Sequence, residues 1–433
     1  MSLQQKEIYG VTGKPILHSK SPCLFSQVSA AHYIRIAAES AGEAMETAAS
    51  IGVKGLNVTS PFKEDICNYI DEFEYPAGLL NSVNTVLIEN GRTIGCNTDV
   101  RGFRNLLSTN GIATAKKRAV VLGSGGAAAA AVLALTETGA IATVCSRNNK
   151  KAEIIAHKLK IDYCHWMSLP KVATETDFIV NCLPRGINAL ENLNLCKSVF
   201  IIDANYNNGI LCNYADNIGL KYISGEQWLT GQALPSYNLF LKHGVEKEIK
   251  FPAESATSVE IITLTGFMGS GKSVTGEILA RELGYRFFDI DRIIEAKTGK
   301  PVARIFSEDG EVFFRSTEAE IINDTYRMIK DTGIKAIVSL GGGAVMNEET
   351  RRTAKADSLV IWLYSSTESC LERLNPGTRP LLAVADPVGQ ARRLFAERIS
   401  TYADVSDLVI NTTFEPQRTS SKIIREINSI IRP

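Results

Sequence analysis

Two short apolar runs, each stopped by glycines and followed by a helical stretch, set the expected architecture. Arg118-Ala-Val-Val-Leu122 reads as a buried strand, and Gly123-Ser-Gly-Gly-Ala-Ala128 turns it into an alanine-rich helix. Further on, Glu260-Ile-Ile-Thr-Leu-Thr265 is a β-rich run that enters a second glycine turn, and Ser273 to Leu283 predict a helix. Strand, glycine turn and helix in that order mark an α/β unit that can receive a nucleotide, so two such units are expected. The residues ahead of the first read as separate β and α segments, which predicts a two-lobed first half: residues 1–100, completed by about 227–244, and residues 101–226. Residues 245–258 are polar and carry a proline, as a linker would, and 259–433 form the second α/β domain around a parallel sheet. No repeat, heptad or low-complexity tract interrupts this plan.

Composition changes the picture mainly by exclusion. A chain of 433 residues suggests two or three domains at roughly 150 residues each, and 45% hydrophobic with 22% charged residues suits a globular protein. The 47 basic residues balance the 47 acidic ones, so no global field draws the protein to nucleic acid or an anionic membrane. With no basic, then apolar N-terminal segment and no run long enough to span a bilayer, a soluble cytoplasmic protein is expected. Nothing in the pattern speaks to oligomeric state. The nine cysteines are scattered without a C-x-x-C pair, eight of them before residue 213, and are expected as reduced core thiols. Cys164 and His165 lack a second ligand pair, so no structural metal is assigned.

Chemistry enters with Gly266-Phe-Met-Gly-Ser-Gly-Lys-Ser273, which fits G-x-x-x-x-G-K-[ST] between a strand and a helix. Gly266, Gly269, Ser270 and Gly271 would cradle the phosphates of ATP, Lys272 would reach the terminal phosphates, and Ser273 would ligate Mg²⁺. Phe287-Phe-Asp-Ile-Asp291 sets two carboxylates at a strand end, where Asp289 could hold hydrated Mg²⁺ and Asp291 could orient an acceptor hydroxyl. Taken alone they equally suit a solvated strand end or a helix cap. Together with Gly310-Glu-Val-Phe-Phe-Arg315-Ser-Thr-Glu318, Gly341-Gly-Gly343, Arg379-Pro-Leu-Leu382 and Glu397-Arg-Ile-Ser-Thr-Tyr402, these residues resemble shikimate kinase from about Glu260 onward. The resemblance implies that Asp291 holds the substrate's hydroxyls, that Arg315 and Arg398 clamp its carboxylate with backbone contacts from Gly342, and that Arg379 lies on a lid and joins Lys272 and Asp291 in catalysis.

In the first half, Gly123-x-Gly125-x-x-Ala128 is a dinucleotide fingerprint of the Rossmann type, weak alone, with Gly126 and Ala127 inside it. The next strand ends in Ser146-Arg-Asn-Asn-Lys-Lys151, and Arg147 and Lys151 offer cations where an NAD enzyme would place a carboxylate. That favours NADP(H), against the alternative of a merely solvated helix start.

Tyr9-Gly-Val-Thr-Gly-Lys-Pro-Ile-Leu-His-Ser-Lys-Ser-Pro22, Gly55-Leu-Asn-Val-Thr-Ser-Pro-Phe-Lys63, Asn84-Thr85, Asn97-Thr-Asp99 and Gly225-Glu-Gln-Trp-Leu-Thr-Gly-Gln-Ala233 resemble shikimate dehydrogenase over residues 6 to 243. The resemblance implies a catalytic pair, Lys63 and Asp99, hydrogen bonds to the substrate from Ser19, Ser21, Asn57, Thr59, Asn84 and Gln232, and a cofactor contact at Gly225. His18 is read as a loop histidine. Against the family pattern, the chain between Pro22 and Asn57 is short, predicting a trimmed first helix and neighbouring strand, and Asn81-Ser82 stand where glycine and alanine are common. The implied reactions share a metabolite: 3-dehydroshikimate is reduced to shikimate, and shikimate is then phosphorylated. The rival is a sensor of shikimate-like or quinate-like acids built on the same folds without turnover. A sensor could lose Lys63, Asp99, Lys272 or Asp291 without penalty, and all four are present.

Overall fold

The computed structural model describes residues 6–184, 186–206, 209–245, 248–252, 259–374, 380–412 and 415–430. It divides into two compact units, one formed by Met1–Pro22, Ala30–Leu56 and Ala253–Pro433, the other by Cys23–Ser29 and Asn57–Pro252, a division that cuts across the boundaries drawn from the sequence. The strands in chain order are β1 Ile8–Gly13, β2 His32–Ala37, β3 Val53–Val58, β4 Glu72–Phe73, β5 Thr85–Glu89, β6 Arg92–Cys96, β7 Arg118–Leu122, β8 Ile141–Ser146 and β9 Asp162–His165. They continue as β10 Phe178–Asn181, β11 Phe200–Asp203, β12 Lys221–Ile223, β13 Ile261–Thr265, β14 Arg286–Asp289, β15 Ala336–Ser339, β16 Leu359–Tyr364 and β17 Leu408–Asn411.

In the first unit the strands lie in the order β14-β15-β13-β16-β17-β2-β1-β3. The pairings from β14 to β1 are parallel. Strands β13, β15 and β17 are buried at every residue, as parallel strands covered on both faces must be. The parallel sheet expected around the Gly266–Ser273 glycine loop, a P-loop, is therefore present, but it does not end with that segment. Strand β17 pairs with β2, Val409 opposite Ile36 and Ile410 opposite Ala37. An edge strand leaves a row of unpaired N–H and C=O groups, and this pairing satisfies two edges at once. Val11, Ile16, Leu17 and Ala37 share one apolar cluster with Ile262, Leu264, Leu279, Ile361, Leu363, Ile410, Ile423 and Ile427. The helix expected to be trimmed is five residues long, Ser21–Phe25, whereas β2 keeps six because β1 and β17 flank it.

A buried ion pair crosses the same cluster. Lys422 Nζ, on the helix Pro416–Asn428, lies 2.5 Å from Glu43 Oε1, with both side chains under 10% exposed (3% and 8%). Glu43 Oε2 also accepts the Glu39 N–H at 2.7 Å. Removing one partner strands a charge in the interior, so Lys422→Ala is expected to lower stability by about 3–5 kcal/mol. The paired change Lys422→Met with Glu43→Leu should recover most of that loss. Urea midpoints of the full chain check both, and equal midpoints for Lys422→Ala and the parent would refute it.

The second unit holds a parallel sheet in the order β12-β11-β10-β7-β8-β9. The helix Gly126–Glu137 packs on it, and its Ala128–Leu135 stretch is buried because alanines let the backbone sit close to the strands. A smaller set, β5-β6-β4, contains an antiparallel hairpin from Thr85 opposite Cys96 to Glu89 opposite Arg92. Its turn is Asn90-Gly91, both at positive φ (50° and 78°), as a tight two-residue hairpin turn requires. The described part of the polar segment 245–258 is tied down: Gln27 Nε2 donates to Lys250 O at 2.8 Å and Lys250 N–H to Gln27 Oε1 at 3.0 Å. Among the described residues no helix is long and apolar enough to cross a membrane.

Candidate active sites

In the second unit the turn after β3 presents Lys63, and the helix Asp99–Thr109 begins with Asp99. Lys63 Nζ lies 2.5 Å from Asp99 Oδ2, with the aspartate buried and the lysine 17% exposed. Asp99 is fixed on both sides: its N–H donates to Asn97 Oδ1 at 3.1 Å, and Trp228 Nε1–H donates to its carbonyl at 2.9 Å. Around the pair runs a polar network. Asn84 Nδ2 donates to Gln232 Oε1 (2.7 Å) and Thr98 Oγ1 (3.0 Å), while Thr98 N–H donates to Asn84 Oδ1 (2.8 Å). Asn57 Nδ2 donates to Ser236 Oγ (2.6 Å) and Thr85 Oγ1 (3.1 Å). Gln232 and Ser236 come from one helix, Gly225–Leu241, whose four-residue spacing puts them on the same face. Thr59 is half-buried in the turn between Asn57 and Lys63. Ser19 and Ser21 lie in the first unit, where Ser19 Oγ–H donates to Ser21 Oγ at 3.2 Å.

The glycine loop meets this pair. Gly123 has φ +118°, and a Cβ there would press on Cys182 O at 3.0 Å. A Cβ on Gly126 would collide with Ser82 Oγ and lie 3.4 Å from Lys63 Cδ, so Lys63 stands against the helix N-terminus that a dinucleotide's phosphates would approach. Ser82 Oγ is buried with no hydrogen-bond partner among the described residues. Gly125 and Gly126 line a cavity of about 250 Å³ with Ser124, Ser82, Lys151 and Lys158, and Ala127 follows them on the helix. Gly225 is required by close backbone approach, since a Cβ would sit 2.6 Å from Ala204 O. Arg147 is exposed and forms no ion pair among the described residues, whereas Lys151 Nζ is held by Glu64 Oε2 at 2.8 Å.

The second site lies in the first unit. Gly266, Gly269 and Gly271 all take positive φ (138°, 81°, 88°), and a Cβ on Gly266 or Gly269 would strike Leu363 O or Cys370 O. The helix Lys272–Leu283 follows directly. Lys272 Nζ folds back to donate to Gly266 O and Phe267 O, each at 2.9 Å. A cavity of about 590 Å³ is walled by Gly269, Ser270, Gly271, Lys272, Ser273, Asp289 and Asp291. Asp289 is the N-cap of the helix Ile290–Thr298 and accepts the Arg292 N–H at 3.3 Å. Of the two structural alternatives to a metal-holding role, a solvated strand end and a helix cap, the cap is the geometry observed. Asp291 sits in that helix's first turn and also lines a smaller cavity of about 60 Å³ with Arg315, Glu318, Gly342 and Arg398.

Arg315 Nη1 donates to Glu318 Oε2 at 2.6 Å, and Arg398 Nη1 to Gly342 O at 3.1 Å. Glu318 closes a motif quoted from the sequence, which gave it no role, and the structure brings it to the guanidinium of Arg315. Burial pushes its carboxyl above the usual carboxylate range, Arg315 pulls the other way, and its Oε1 has no hydrogen-bond partner among the described residues. Its spacing three residues after Arg315 on one helix was the available signal. Arg379 lies outside the described residues.

A glycine loop beside a lysine–aspartate pair and a P-loop beside a pocket lined by Arg315 and Arg398 are the arrangements of a nucleotide-dependent oxidoreductase and of a small-molecule kinase. Residues 11–86 match the family model "Shikimate dehydrogenase substrate binding domain" and residues 268–428 match "Shikimate kinase". The shikimate dehydrogenase (NADP(+)) of Dehalococcoides mccartyi is 33% identical over 256 residues, 54% of this chain and 90% of that protein. The shikimate kinase of Chromobacterium violaceum is 41% identical over 151 residues, 35% of this chain and 79% of that protein. The crystal structure of shikimate dehydrogenase from Aquifex aeolicus aligns with TM-score 0.53 at 30% identity, covering 58% of this chain and 97% of that one. The chain belongs to the shikimate dehydrogenase family over its first half and to the shikimate kinase family over its second.

Proposed function

We propose that one chain carries out two successive reactions, 3-dehydroshikimate with NADPH giving shikimate, and shikimate with ATP giving shikimate 3-phosphate. The observation that carries this is the same in both sites: the group that handles the substrate's oxygen stands against the nucleotide loop, Lys63 beside Gly126 and Asp291 in the wall of the P-loop cavity. Functionally the segments remain 1–100 with 227–244, 101–226 and 259–433.

For the dehydrogenase, the glycine approach at Gly125 and Gly126 and the exposed Arg147 fit NADP(H), which supplies the hydride when bound. Lys63 then donates a proton to the oxygen that gains charge, and Asp99 holds Lys63 in place and takes the neighbouring hydroxyl. Asn57, Thr59, Asn84 and Gln232, with Ser19 and Ser21, bind the remaining hydroxyls and the carboxylate. For the kinase, the positive-φ glycines and the buried Ser270 hydroxyl fit the phosphates of ATP, and Ser273 and Asp289 would hold Mg²⁺, which offsets phosphate charge. Asp291 orients the acceptor hydroxyl, Arg315 and Arg398 grip the carboxylate, and Lys272 leaves its resting carbonyls for the phosphates. Arg379 is proposed to close over the transferred group.

The test is a coupled assay on the purified chain. NADPH loss with 3-dehydroshikimate, followed by ADP formation once ATP and Mg²⁺ are added, supports the reading. A folded protein that binds both acids and turns over neither would make it a sensor.

Arg147 gives a sharper check. A guanidinium on a 2′-phosphate contributes about 1.5–3 kcal/mol, so Arg147→Ala should raise the KM for NADPH by roughly 10-fold or more and leave that for NADH nearly unchanged. Equal changes for both cofactors would remove Arg147 from the 2′-phosphate site.

A further inference from the structure

We propose that Glu426, on the last helix of the kinase segment, is a positioning residue for the dehydrogenase's substrate loop. The proposal rests on the reading that Ser19 and Ser21 bind the dehydrogenase substrate. Glu426 is fully buried, and its Oε2 accepts two backbone N–H groups, Ile16 at 2.7 Å and Leu17 at 2.9 Å. These two residues open a tight turn closed by Ser19 N–H donating to Ile16 O at 2.9 Å. The turn hands its geometry on, because Ser21 N–H donates to Ser19 Oγ at 3.3 Å and Ser19 Oγ–H to Ser21 Oγ at 3.2 Å.

The far end of the turn is gripped from the same side. Arg35, on β2, donates through Nη2 and Nε to Ser19 O at 2.8 and 3.1 Å, and through Nη1 to Asp407 O at 3.2 Å, just before β17. The kinase segment thus touches the loop directly through Glu426 and anchors the arginine that holds its other end. Among the described residues of the first hundred, none supplies the acceptor for Ile16 and Leu17.

Two convergent N–H donors in an apolar cluster need an acceptor between them, since each buried donor left without one costs about 1–3 kcal/mol. Glu426→Ala removes it, and the least costly relief is for the Ile16–Ser19 turn to move toward water, taking Ser19 and Ser21 out of register. Lys63, Asp99 and the glycine loop stand on other segments. The expected signature is therefore confined to one substrate: the KM for 3-dehydroshikimate rises about tenfold, while kcat, the KM for NADPH and the kinase constants stay within about threefold.

The experiment is steady-state kinetics of both reactions on the full chain for the parent, Ser19→Ala, Glu426→Ala, Glu426→Met and Glu426→Gln. Glu426→Gln keeps an acceptor oxygen and should restore a near-parent KM, whereas Glu426→Met, which keeps the bulk without that oxygen, should raise the KM as Glu426→Ala does. If Glu426→Ala does not fold, Glu426→Asp, which withdraws the acceptor by one methylene, carries the same expectation. A parent that does not turn over 3-dehydroshikimate defeats the functional reading itself. Parent turnover with a raised KM in Ser19→Ala but an unchanged KM in Glu426→Ala and Glu426→Asp overturns this proposal alone, as does a parallel rise in the KM for NADPH and ATP.

Discussion

Lys63→Ala is expected to lower the kcat for reduction of 3-dehydroshikimate by about 10³-fold, within the roughly 10²–10⁴ that a positioned general acid contributes, and to leave kinase turnover unchanged. The magnitude follows from what Lys63 does that its neighbours do not. Asn57, Asn84 and Gln232 already satisfy one another through bonds of 2.7–3.2 Å, so they are preorganised to bind hydroxyls but carry no proton suited to a developing alkoxide. Among these four side chains only Lys63 is cationic, and it lies close to the glycine loop and is paired to Asp99, which fixes its direction. Lys63→Arg should fail almost as badly, because a guanidinium does not release its proton and its planar fork cannot take the same 2.5 Å approach to Asp99. The checks are single-turnover NADPH oxidation and, on the same preparation, ADP formation from shikimate. Loss of both activities in a folded variant would mean that the two sites are coupled through Lys63, contrary to the proposed roles.

How much of this was legible in the sequence depends on how local each feature is. Both glycine loops are contiguous stretches whose function is carried by backbone shape, so Gly123–Ala128 and Gly266–Ser273 announce themselves, and the strands before them are found within a residue. Lys63 and Asp99 lie 36 residues apart and were read only through a family resemblance; the fold is what brings them to 2.5 Å. Trp228, Ser236 and Glu318 were given no role because an indole, a hydroxyl and a carboxylate on a helix look the same in sequence whether they face a site or solvent. Lys151 reads as a free cation in sequence but is engaged by Glu64, on the turn after Lys63.

Least legible was the continuation of the kinase sheet into β2. Ile36, Ala37, Val409 and Ile410 are ordinary strand residues, and nothing local distinguishes an edge that pairs with another segment from one that ends a sheet. The same holds for Glu426 and Lys422, which on a polar C-terminal helix read as surface charges until packing buries them.

Asp291→Asn is expected to lower kinase kcat by about 10²–10³-fold with the KM for ATP unchanged, while Asp289→Asn should act mainly on the metal-dependent part of the reaction. The two carboxylates are two residues apart, yet the helix that begins between them gives them different work. Asp289 caps that helix by accepting the Arg292 N–H, a bond an asparagine side chain can keep, so the substitution removes charge and preserves the fold. Asp291 lies in the first turn and borders both the P-loop cavity and the Arg315–Arg398 pocket, so in the proposed reaction it would face the acceptor hydroxyl. Phosphoryl transfer depends on holding that oxygen in line, and an amide in place of the carboxylate orients it less well and cannot accept its proton. Glu318, buried beside Arg315 with its carboxyl pushed upward, stands near Asp291 but does not reach the P-loop cavity, so it should not substitute for the lost carboxylate. Measuring kcat and both KM values for Asp291→Asn and for Asp291→Asn with Glu318→Gln separates the roles. A double variant no slower than the single one supports this assignment, and a further large drop would make Glu318 the acceptor's partner instead.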